Sequence, residues 1–370
     1  CKSDDPEAHW STNISVSIDN EFEDKLRRGD THAMSVFEAI TTGMLTNGEP
    51  GLFHSDNAHI GEVADVSSTN PCGEICLEEY EPCNLGHLNL FAFAHDWPKA
   101  LRAAHLMTRF LIRATFAPVE HEEQRKVLDR NRRIGLGLFG VQEFAAAHGV
   151  PWSTIPDHEP TTHRLQLLRT AVDTAAVQYA HELRIPVPIK RTTIAPTGSI
   201  AQLGGFTQGI HPTYARYFVR RIRFADTDPE LEKHRAKGHH IEPCQYTANT
   251  QVVSVPCRDT ILDRVPEHLV EQADEISIFD MLAVQALFQK VWADNAVSFT
   301  ANIGPETTEH ELRRALLHFM GDLKGTTIFP DMSRPQAPYE RITKEDYERT
   351  GQRETSQSFD DCATGACPVR

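Results

Sequence analysis

The sequence predicts an α/β protein whose strands pair mostly in parallel. The stretch "MLAVQALFQKVWADNAVSFTANI" (281–303) has a helical apolar pattern followed by a β-branched strand pattern. The stretch "RTTIAPTGSIAQLGG" (191–205) indicates a buried strand, a turn and the start of a helix. Strands that alternate with helices are typical of parallel sheets, because each helix returns the chain to the edge where the next strand begins.

The first part of the chain supplies further elements. Residues 11–28 predict a short alternating strand and then a helix capped by Asp19 or Asn20. A second helix is expected to stop near Gly43, before a loop rich in turn residues. Residues 66–90 then predict a loop and strand region, which holds a cluster of cysteines.

The middle of the chain is predicted to be mainly helical. Residues 99–147 are interpreted as two helices, the second interrupted by Gly135, Gly137 and Gly140, which indicates close packing against a neighbour. The other predicted elements are a helix over 160–184, a strand over 214–224 and a helix over 311–323. After about residue 330 the sequence becomes polar and irregular.

Composition limits the classes of function. The 370 residues carry a net charge of −15, which argues against a broad nucleic-acid interface. No apolar run is long enough for a membrane span, and eight cysteines are too few for a disulfide-stapled secreted domain. We therefore expect a cytoplasmic protein with reduced thiols. The first residue is Cys and not Met, so we expect a fragment or a chain from which an upstream part was removed.

The segment "NPCGE" (70–74) combines an amide, a thiol and a carboxylate at alternate positions. In an extended loop Asn70, Cys72 and Glu74 would share one face. A carboxylate raises the pKa of a nearby thiol, so the Cys72 thiol next to Glu74 would be a poor source of the thiolate that nucleophilic cysteine catalysis needs. A neutral thiol suits hydrogen-atom chemistry, with Glu74 as a base and Asn70 orienting the substrate.

Other cysteines offer two further interpretations. Cys72, Cys76 and Cys83 would make a zinc site of unusual spacing, without the second ligand pair that structural zinc sites have, so no metal site is predicted. Cys362 and Cys367 form a C-x4-C pair at the polar C-terminus. A dithiol on such a tail can reduce a disulfide elsewhere in the protein by thiol exchange.

Together these segments resemble ribonucleotide reductases, specifically the adenosylcobalamin-dependent class (class II) of the monomeric triphosphate type. "NPCGE" is similar to the finger-loop signature of that family, and "CNLGHLNL" (83–90) to the strand that carries one substrate-reducing cysteine. "APTGSIAQ", "NRRIGLGLFG", "WADNAVSFTANI", "SRPQAPYERIT" and "CATGACPVR" resemble further family segments, in family order.

The resemblance implies a ten-stranded α/β barrel with a central finger loop. Residues 1–330 would be the C-terminal portion of this barrel, with the finger loop at about 68–84, and 331–370 an extended segment with a flexible redox tail. In the family the second reducing cysteine lies well before the finger loop in the chain, whereas here Cys1 is the only cysteine before Cys72. The chain therefore resembles the C-terminal half of the enzyme, which needs the N-terminal half for turnover.

The resemblance also implies a role for each site residue. Adenosylcobalamin would oxidise Cys72 to a thiyl radical, and Cys83 with a cysteine of the missing half would reduce the ribonucleotide. The tail pair Cys362 and Cys367 would reopen the resulting disulfide, and thioredoxin or a similar reductant would restore the tail. The substrate phosphates would bind a turn that is also compatible with an ordinary helix cap. Its residues are Pro196, Thr197, Gly198, Ser199, Ile200 and Ala201.

Two alternatives remain open at this stage. One is the class I large subunit, which uses a separate radical subunit; its family typically has a tyrosine pair before the tail, whereas Tyr339 and Tyr347 are not adjacent here. The other is a non-catalytic fragment that binds a nucleotide or zinc. His211 is interpreted as structural, and the interpretation of Cys76, Cys244 and Cys257 is packing.

Overall fold

The computed structural model describes residues 13–331, 335–350 and 354. Its strands are β1 (Ser15–Ile18), β2 (Gly51–His54), β3 (Ser68–Thr69), β4 (Cys76–Leu77), β5 (Leu85–Asn89), β6 (Gly135–Phe139), β7 (Tyr217–Ala225), β8 (His240–Pro243), β9 (Thr250–Arg258), β10 (Thr300–Ile303), β11 (Gly325–Pro330) and β12 (Tyr339–Arg341). Its helices are α1 (Asn20–Arg27), α2 (Thr31–Asn47), α3 (Ser55–His59), α4 (Trp97–Ala114), α5 (Glu122–Asn131), α6 (Val141–Ala147), α7 (Glu159–Leu183), α8 (Gly198–Gly204), α9 (Glu230–Ala236), α10 (Ile278–Val291), α11 (Glu309–Phe319) and α12 (Lys344–Arg349).

Five strand segments of the main sheet run parallel to one another in the described chain. β5 pairs in parallel with β6, and a single parallel bridge joins Leu136 of β6 to Thr192. A second parallel bridge joins Ile194 to Val297, just before β10, and β10 pairs in parallel with β11. Helices connect these segments along the chain, as expected for parallel pairing.

The strand direction reverses once in this sheet, between β11 and β2. β11 pairs antiparallel with β2, and β2 pairs in parallel with β1. Two sets of parallel strands therefore run in opposite directions, and the α/β prediction is confirmed. Within the described residues β1 and β5 are the two edges, so the sheet does not close and the ten strands implied by the resemblance are not all present.

Two predicted elements need correction. The glycine-rich segment was expected to be a helix, but Gly135–Phe139 forms the fully buried strand β6. Alternating glycines resemble helix breakers in the sequence, whereas here they leave one face of a central strand without side chains. The helix expected to stop near Gly43 continues to Asn47 and ends at Gly48, whose φ of 82° supplies the left-handed cap.

A second sheet is antiparallel and departs from the mostly parallel prediction. Its strand order is β12-β7-β9-β8, and it has a small core of its own that includes Phe218, Ile222 and Val253. β7 lies within the strand predicted over 214–224, apart from its last residue. The side chains of Arg221 and Arg223 on β7 donate to the carbonyl groups of residues 337 and 336, so they hold the β12 segment.

The main core lies between the sheet and its helices. Trp152 and Trp292 are the largest of its fully buried side chains. The Nε1 of Trp292 donates to the backbone carbonyl of Thr193 over 2.9 Å, which ties the end of α10 to the neighbouring strand segment. Among the described helices, none combines the length and the apolar character needed to cross a membrane.

Candidate active site

A short β-hairpin carries Asn70, Cys72 and Glu74. Its strands β3 and β4 pair antiparallel, and residues 70–75 connect them. The Gly73 N–H donates to the carbonyl of Asn70 over 2.9 Å, with Gly73 at a φ of 81°, so the tip is a tight turn. This corrects the expectation of an extended loop with all three side chains on one face.

Asn70 organises the hairpin tip. Its Oδ1 accepts a hydrogen bond from the Ile75 N–H over 3.0 Å, and its own N–H donates to the carbonyl of Ile75 over 3.2 Å. Its side chain also hydrogen-bonds to the Glu74 carboxyl group. Asn70 therefore holds Glu74, in addition to the substrate-orienting role proposed from the sequence.

The tip presents Cys72 and buries Glu74. Cys72 is exposed, and a Cβ atom added to Gly73 would meet no other atom within 4 Å, so this part of the tip faces open space. Glu74 is only 1% exposed. Burial raises its pKa against the opposing effect of Asn70, and its Oε2 is buried without a hydrogen-bond partner.

Backbone contacts anchor the buried residue of the tip to the main sheet. The Glu74 carbonyl accepts hydrogen bonds from the Ala296 N–H over 2.8 Å and from the Thr193 Oγ1 over 3.0 Å. Thr193 and Ala296 belong to the two segments that the central bridges join. Their motifs were recognised in the sequence, but their contact with the hairpin depends on long-range pairing and has no local signal.

Cys83 lies near the hairpin tip, just before β5. Its side chain reaches solvent, yet the protein packed around it raises the thiol pKa to about 12, and the charges of Glu74 and Cys72 act in the same direction. The structure thus brings Cys72, Glu74 and Cys83 within electrostatic reach of one another. At neutral pH the Cys83 thiol is protonated.

Two glycines of β6 make room for this site. A Cβ atom at Gly135 would lie 2.6 Å from the Leu85 Cδ2 and 3.2 Å from the Ile75 Cδ1. At Gly137 it would lie 2.5 Å from the His87 Cδ2. Neither position accepts a larger residue without movement of a neighbour. Close packing at these glycines was expected from the sequence.

The turn at 196–201 follows Thr193 directly. Thr197 has a φ of 56°, and its Oγ1 accepts a hydrogen bond from the Gly209 N–H over 2.9 Å. α8 starts at Gly198; Ser199 and Ile200 are exposed, whereas Ala201 is fully buried. The hydrogen bond to Gly209 therefore fixes the turn to the protein, while Ser199 and Ile200 remain exposed to solvent.

Other candidate residues occupy structural positions. The partly buried His211 accepts a hydrogen bond from the Thr300 N–H at Nε2, so its Nδ1 carries the proton toward the carbonyl of Gln208; desolvation of the ring lowers its pKa to about 4. Cys76 and Cys257 are fully buried, in agreement with packing, whereas Cys244 is partly exposed. The pair Cys362 and Cys367 lies outside the described residues.

Residues 13–331, 335–350 and 354 contain no metal-binding cluster. No group of three or more His, Cys, Asp or Glu side chains in these ranges is placed to hold a metal ion. Cys76, the middle cysteine of the zinc alternative, is buried on β4 of the hairpin, whereas Cys72 and Cys83 are exposed.

Glu74→Gln is expected to stabilise the chain at neutral pH. The raised pKa means that the folded state keeps a proton that the unfolded state has lost, so the contribution of Glu74 to stability falls as pH rises above its ordinary pKa of 4.5. Gln removes this effect and still accepts from Asn70. We expect a gain of about 0.5–2 kcal/mol in the free energy of unfolding at pH 7, measured with urea.

The gain from Glu74→Gln should shrink as the pH falls toward 4. A suitable contrast is Glu143→Gln, because Glu143 is equally buried but accepts hydrogen bonds from the N–H and the Oγ1 of Thr207. Gln cannot accept both, so this variant should lose stability. A loss of stability in Glu74→Gln at pH 7 would contradict the electrostatic account of the tip.

Comparisons with known proteins show the family of the chain. The family model described as "Ribonucleotide reductase, barrel domain" matches residues 11–188 and 189–329. A protein of Mycobacterium phage D29, named putative adenosylcobalamin-dependent ribonucleoside-triphosphate reductase, is 47% identical over 99% of this chain and 57% of its own length. The adenosylcobalamin-dependent ribonucleoside-triphosphate reductase of Lactobacillus leichmannii is 32% identical over 98% of this chain and 53% of its own length.

Solved structures show the same similarity. A crystal structure of a B-12 dependent (class II) ribonucleotide reductase superposes with a TM-score of 0.76 at 31% identity, covering 98% of this chain and 52% of the other. The class Id ribonucleotide reductase alpha subunit of Actinobacillus ureae has a TM-score of 0.65 at 19% identity, covering 86% of this chain and 65% of the other, and shows the fold alone. The chain spans about half the length of the curated relatives it matches.

Proposed function

Because the chain belongs to the ribonucleotide reductase barrel-domain family, we propose that it is part of an adenosylcobalamin-dependent ribonucleoside-triphosphate reductase. The observation that carries this proposal is the hairpin tip, where the exposed Cys72 lies close to Cys83 and to the buried Glu74. Relatives named for this activity support it. The complete protein, and not this chain alone, is proposed to perform the reaction.

The residues of the hairpin tip fit adenosylcobalamin. Cys72 is exposed and a Cβ atom at Gly73 would meet nothing within 4 Å, so no described residue covers this side of the tip at that distance. Cobalamin carries its own nitrogen ligands for cobalt, so it needs no cluster of protein ligands at this place. Pro71, Cys72 and Gly73 would face the cofactor. When bound, adenosylcobalamin would supply the radical that removes the hydrogen atom from the Cys72 Sγ.

Cys72 and Glu74 would then act on the ribose of the substrate. A thiyl radical at Cys72 would take the hydrogen atom from C3′. Glu74 would accept the proton of the 3′-hydroxyl group, because its Oε2 has no other partner and its raised pKa is better matched to a base that works near neutral pH. Asn70 would hold both the carboxylate and the sugar.

Cys83 would supply one of the two thiols that reduce the substrate. In the overall reaction two thiols become a disulfide, the 2′-hydroxyl group leaves as water and a hydrogen takes its place on C2′. The partner thiol is proposed to come from the N-terminal half of the enzyme. Cys362 and Cys367 would reduce the disulfide by exchange, and thioredoxin or a similar reductant would reduce the tail.

The turn at 196–201 is the proposed site for the substrate phosphates. Its supporting feature is an exposed α8 start, formed by Gly198, Ser199 and Ile200, just after the segment that touches the hairpin. The first N–H groups of a helix have no partner within the helix and can donate to an anion. The hydrogen bond between the Thr197 Oγ1 and Gly209 keeps this turn in place.

The larger architecture belongs to the same proposal. The sheet with its single reversal of direction supports a ten-stranded barrel completed by the rest of the enzyme, with the finger loop at about 68–84 in its centre. The division at about residue 330, with a redox tail after it, stays a prediction. The cysteine content supports a cytoplasmic location.

The proposal predicts the cofactor requirement of the complete enzyme. With the N-terminal half present, deoxyribonucleoside triphosphate should form from the ribonucleotide only when adenosylcobalamin is added. The measurement is chromatographic quantification of product with adenosylcobalamin, with hydroxocobalamin and without cobalamin. Product that depends instead on a separate metal-bearing subunit would favour the class I alternative.

The non-catalytic alternative makes a different prediction. A zinc-binding fragment would retain a stoichiometric zinc ion on native mass spectrometry, lost when Cys72, Cys76 and Cys83 are replaced. A nucleotide-binding fragment would bind nucleotides without turnover even when the N-terminal half and adenosylcobalamin are both present. Either result would contradict the reductase proposal.

A further inference from the structure

A single buried guanidinium group lies beneath the hairpin. Arg133 is 3% exposed, and its Nε donates to the Glu81 Oε1 over 2.8 Å. Its Nη1 donates to the Glu62 Oε1 over 3.1 Å and to the Asn295 Oδ1 over 3.0 Å, and its Nη2 donates to the Glu62 Oε2. All three side chains that it contacts come from different parts of the chain.

The two carboxylates bracket the hairpin. Glu62 precedes β3, and Glu81 follows β4, so Arg133 connects the segments that enter and leave the hairpin. Both carboxylate side chains are almost completely buried in this contact. Asn131 also contacts the segment that leaves the hairpin. Its Nδ2 donates to Glu78 over 2.6 Å and to Glu81 over 2.9 Å.

Asn295, the third partner, links the Arg133 guanidinium group to the hairpin tip. The Asn295 Nδ2 donates to the carbonyl groups of Ile134 and Thr192, each over 3.0 Å, which fixes Asn295 in the main sheet. Ala296, the next residue, donates its N–H to the Glu74 carbonyl. Arg133 therefore connects both ends of the hairpin to the strand on which the tip rests.

We propose that Arg133 is a positioning residue, which fixes the hairpin at the depth that brings Cys72 beside Cys83. Its planar group with several donors spans three partners at once, whereas the single ammonium group of a lysine cannot. Without these contacts Glu62 keeps only the Lys190 Nζ, 3.7 Å away, and Glu81 keeps Asn131. Among the described residues no side-chain hydrogen bond or ion pair then joins the two ends of the hairpin, and we expect them to be held less tightly. The catalytic consequence rests on the proposed function; the placement of the thiols does not.

Thiol cross-linking tests the placement in this chain. Cys1, Cys362 and Cys367 are replaced by Ser, and a short reagent that reacts with two thiols joins Cys72 to Cys83. We expect Arg133→Lys to lower the yield of this cross-link at least about tenfold, because small displacements of reacting groups cost large factors in rate. Peptide mass spectrometry identifies the linked pair.

Two controls separate placement from general loss of structure. Alkylation of Cys244, which follows β8 and donates its N–H to the Thr250 carbonyl of β9, should keep its rate in Arg133→Lys, since none of the hydrogen bonds of Arg133 described above involves this region. Arg109→Lys is the matched variant, because Arg109 makes a two-point contact with Glu182 on the surface between α4 and α7. It should leave the cross-link unchanged.

A second variant covers the case in which Arg133→Lys does not fold. Glu62→Gln keeps the shape of the side chain and one oxygen acceptor for Arg133, but it removes the negative charge on the segment that enters the hairpin. The yield of the cross-link between Cys72 and Cys83 should therefore fall, by less than in Arg133→Lys. An undiminished cross-link in either folded variant would overturn the inference. If Arg133→Lys unfolds, the result for Glu62→Gln alone decides.

In the complete enzyme the same variant should affect the chemical step. We expect Arg133→Lys to lower kcat about 100-fold with KM nearly unchanged, because the phosphate turn keeps its own hydrogen bond from the Gly209 N–H to the Thr197 Oγ1. A rise in KM with kcat retained would overturn the inference. If the cross-link falls as expected but the unaltered complete protein makes no deoxynucleotide, the proposed function fails while the positioning role stands.

Discussion

Cys72→Ser is expected to abolish both ribonucleotide reduction and hydrogen exchange at C3′ in the complete enzyme, each by at least about a thousandfold. The oxygen–hydrogen bond of serine is too strong to replace the thiol in hydrogen-atom transfer. Cys72 is exposed at the hairpin tip next to the buried Glu74, and this position supports the assignment of the hydrogen-atom transfer to its thiol. Release of label from 3′-tritiated substrate measures the exchange directly.

Two variants make this measurement specific. Cys244→Ser carries the same chemical change into the second sheet and should leave activity intact. Cys83→Ser should lose reduction but keep exchange at C3′, because only the later electron transfer needs that thiol. Exchange that persists in Cys72→Ser would contradict the radical role of this residue.

Trp292→Ala is expected to lower the free energy of unfolding of this chain by about 3–5 kcal/mol. The indole is fully buried in the main core, and a cavity of its size cannot collapse without moving the sheet. The substitution also removes the donor to the Thr193 carbonyl. Guanidinium unfolding followed by circular dichroism measures the loss.

Trp292→Phe separates the two contributions. It keeps most of the apolar volume but leaves the Thr193 carbonyl without its indole donor, so a smaller loss of about 1–3 kcal/mol is expected. An equal loss in both variants would mean that the hydrogen bond, and not the packing, dominates. A loss below about 1 kcal/mol in Trp292→Ala would contradict the assignment of this residue to the core.

The site could be predicted from the sequence where its residues are close in the chain. Asn70, Cys72 and Glu74 lie in one short segment, and the structure places them on one hairpin tip. Their exposures could not be predicted, because the turn at Gly73 separates the exposed thiol from the buried carboxylate. The role of Arg133 was also missed, since its partners lie far away along the chain.

The fold shows the same limit. The parallel strand segments were predicted where an apolar strand pattern adjoins a helix, as in residues 191–205 and 281–303. β6 was missed because its alternating glycines were interpreted as interruptions of a helix, whereas long-range pairing with β5 determines its conformation. The antiparallel partners β8 and β9 of the second sheet were not predicted, although β9 carries the β-branched residues Val252, Val253 and Val255 that are typical of strands.

The bare inner face of β6 has a consequence for how this protein can change over evolution. The His87 ring lies where any side chain at position 137 would have to go, so the two positions share a fixed volume. A larger residue at 137 is tolerated only together with a smaller one at 87, and paired substitutions should be found where single ones are lethal. Position 135 has the same relation to Leu85, and through Ile75 to the hairpin itself. Substitutions on this face of β6 are therefore coupled to the placement of the turn that carries Cys72.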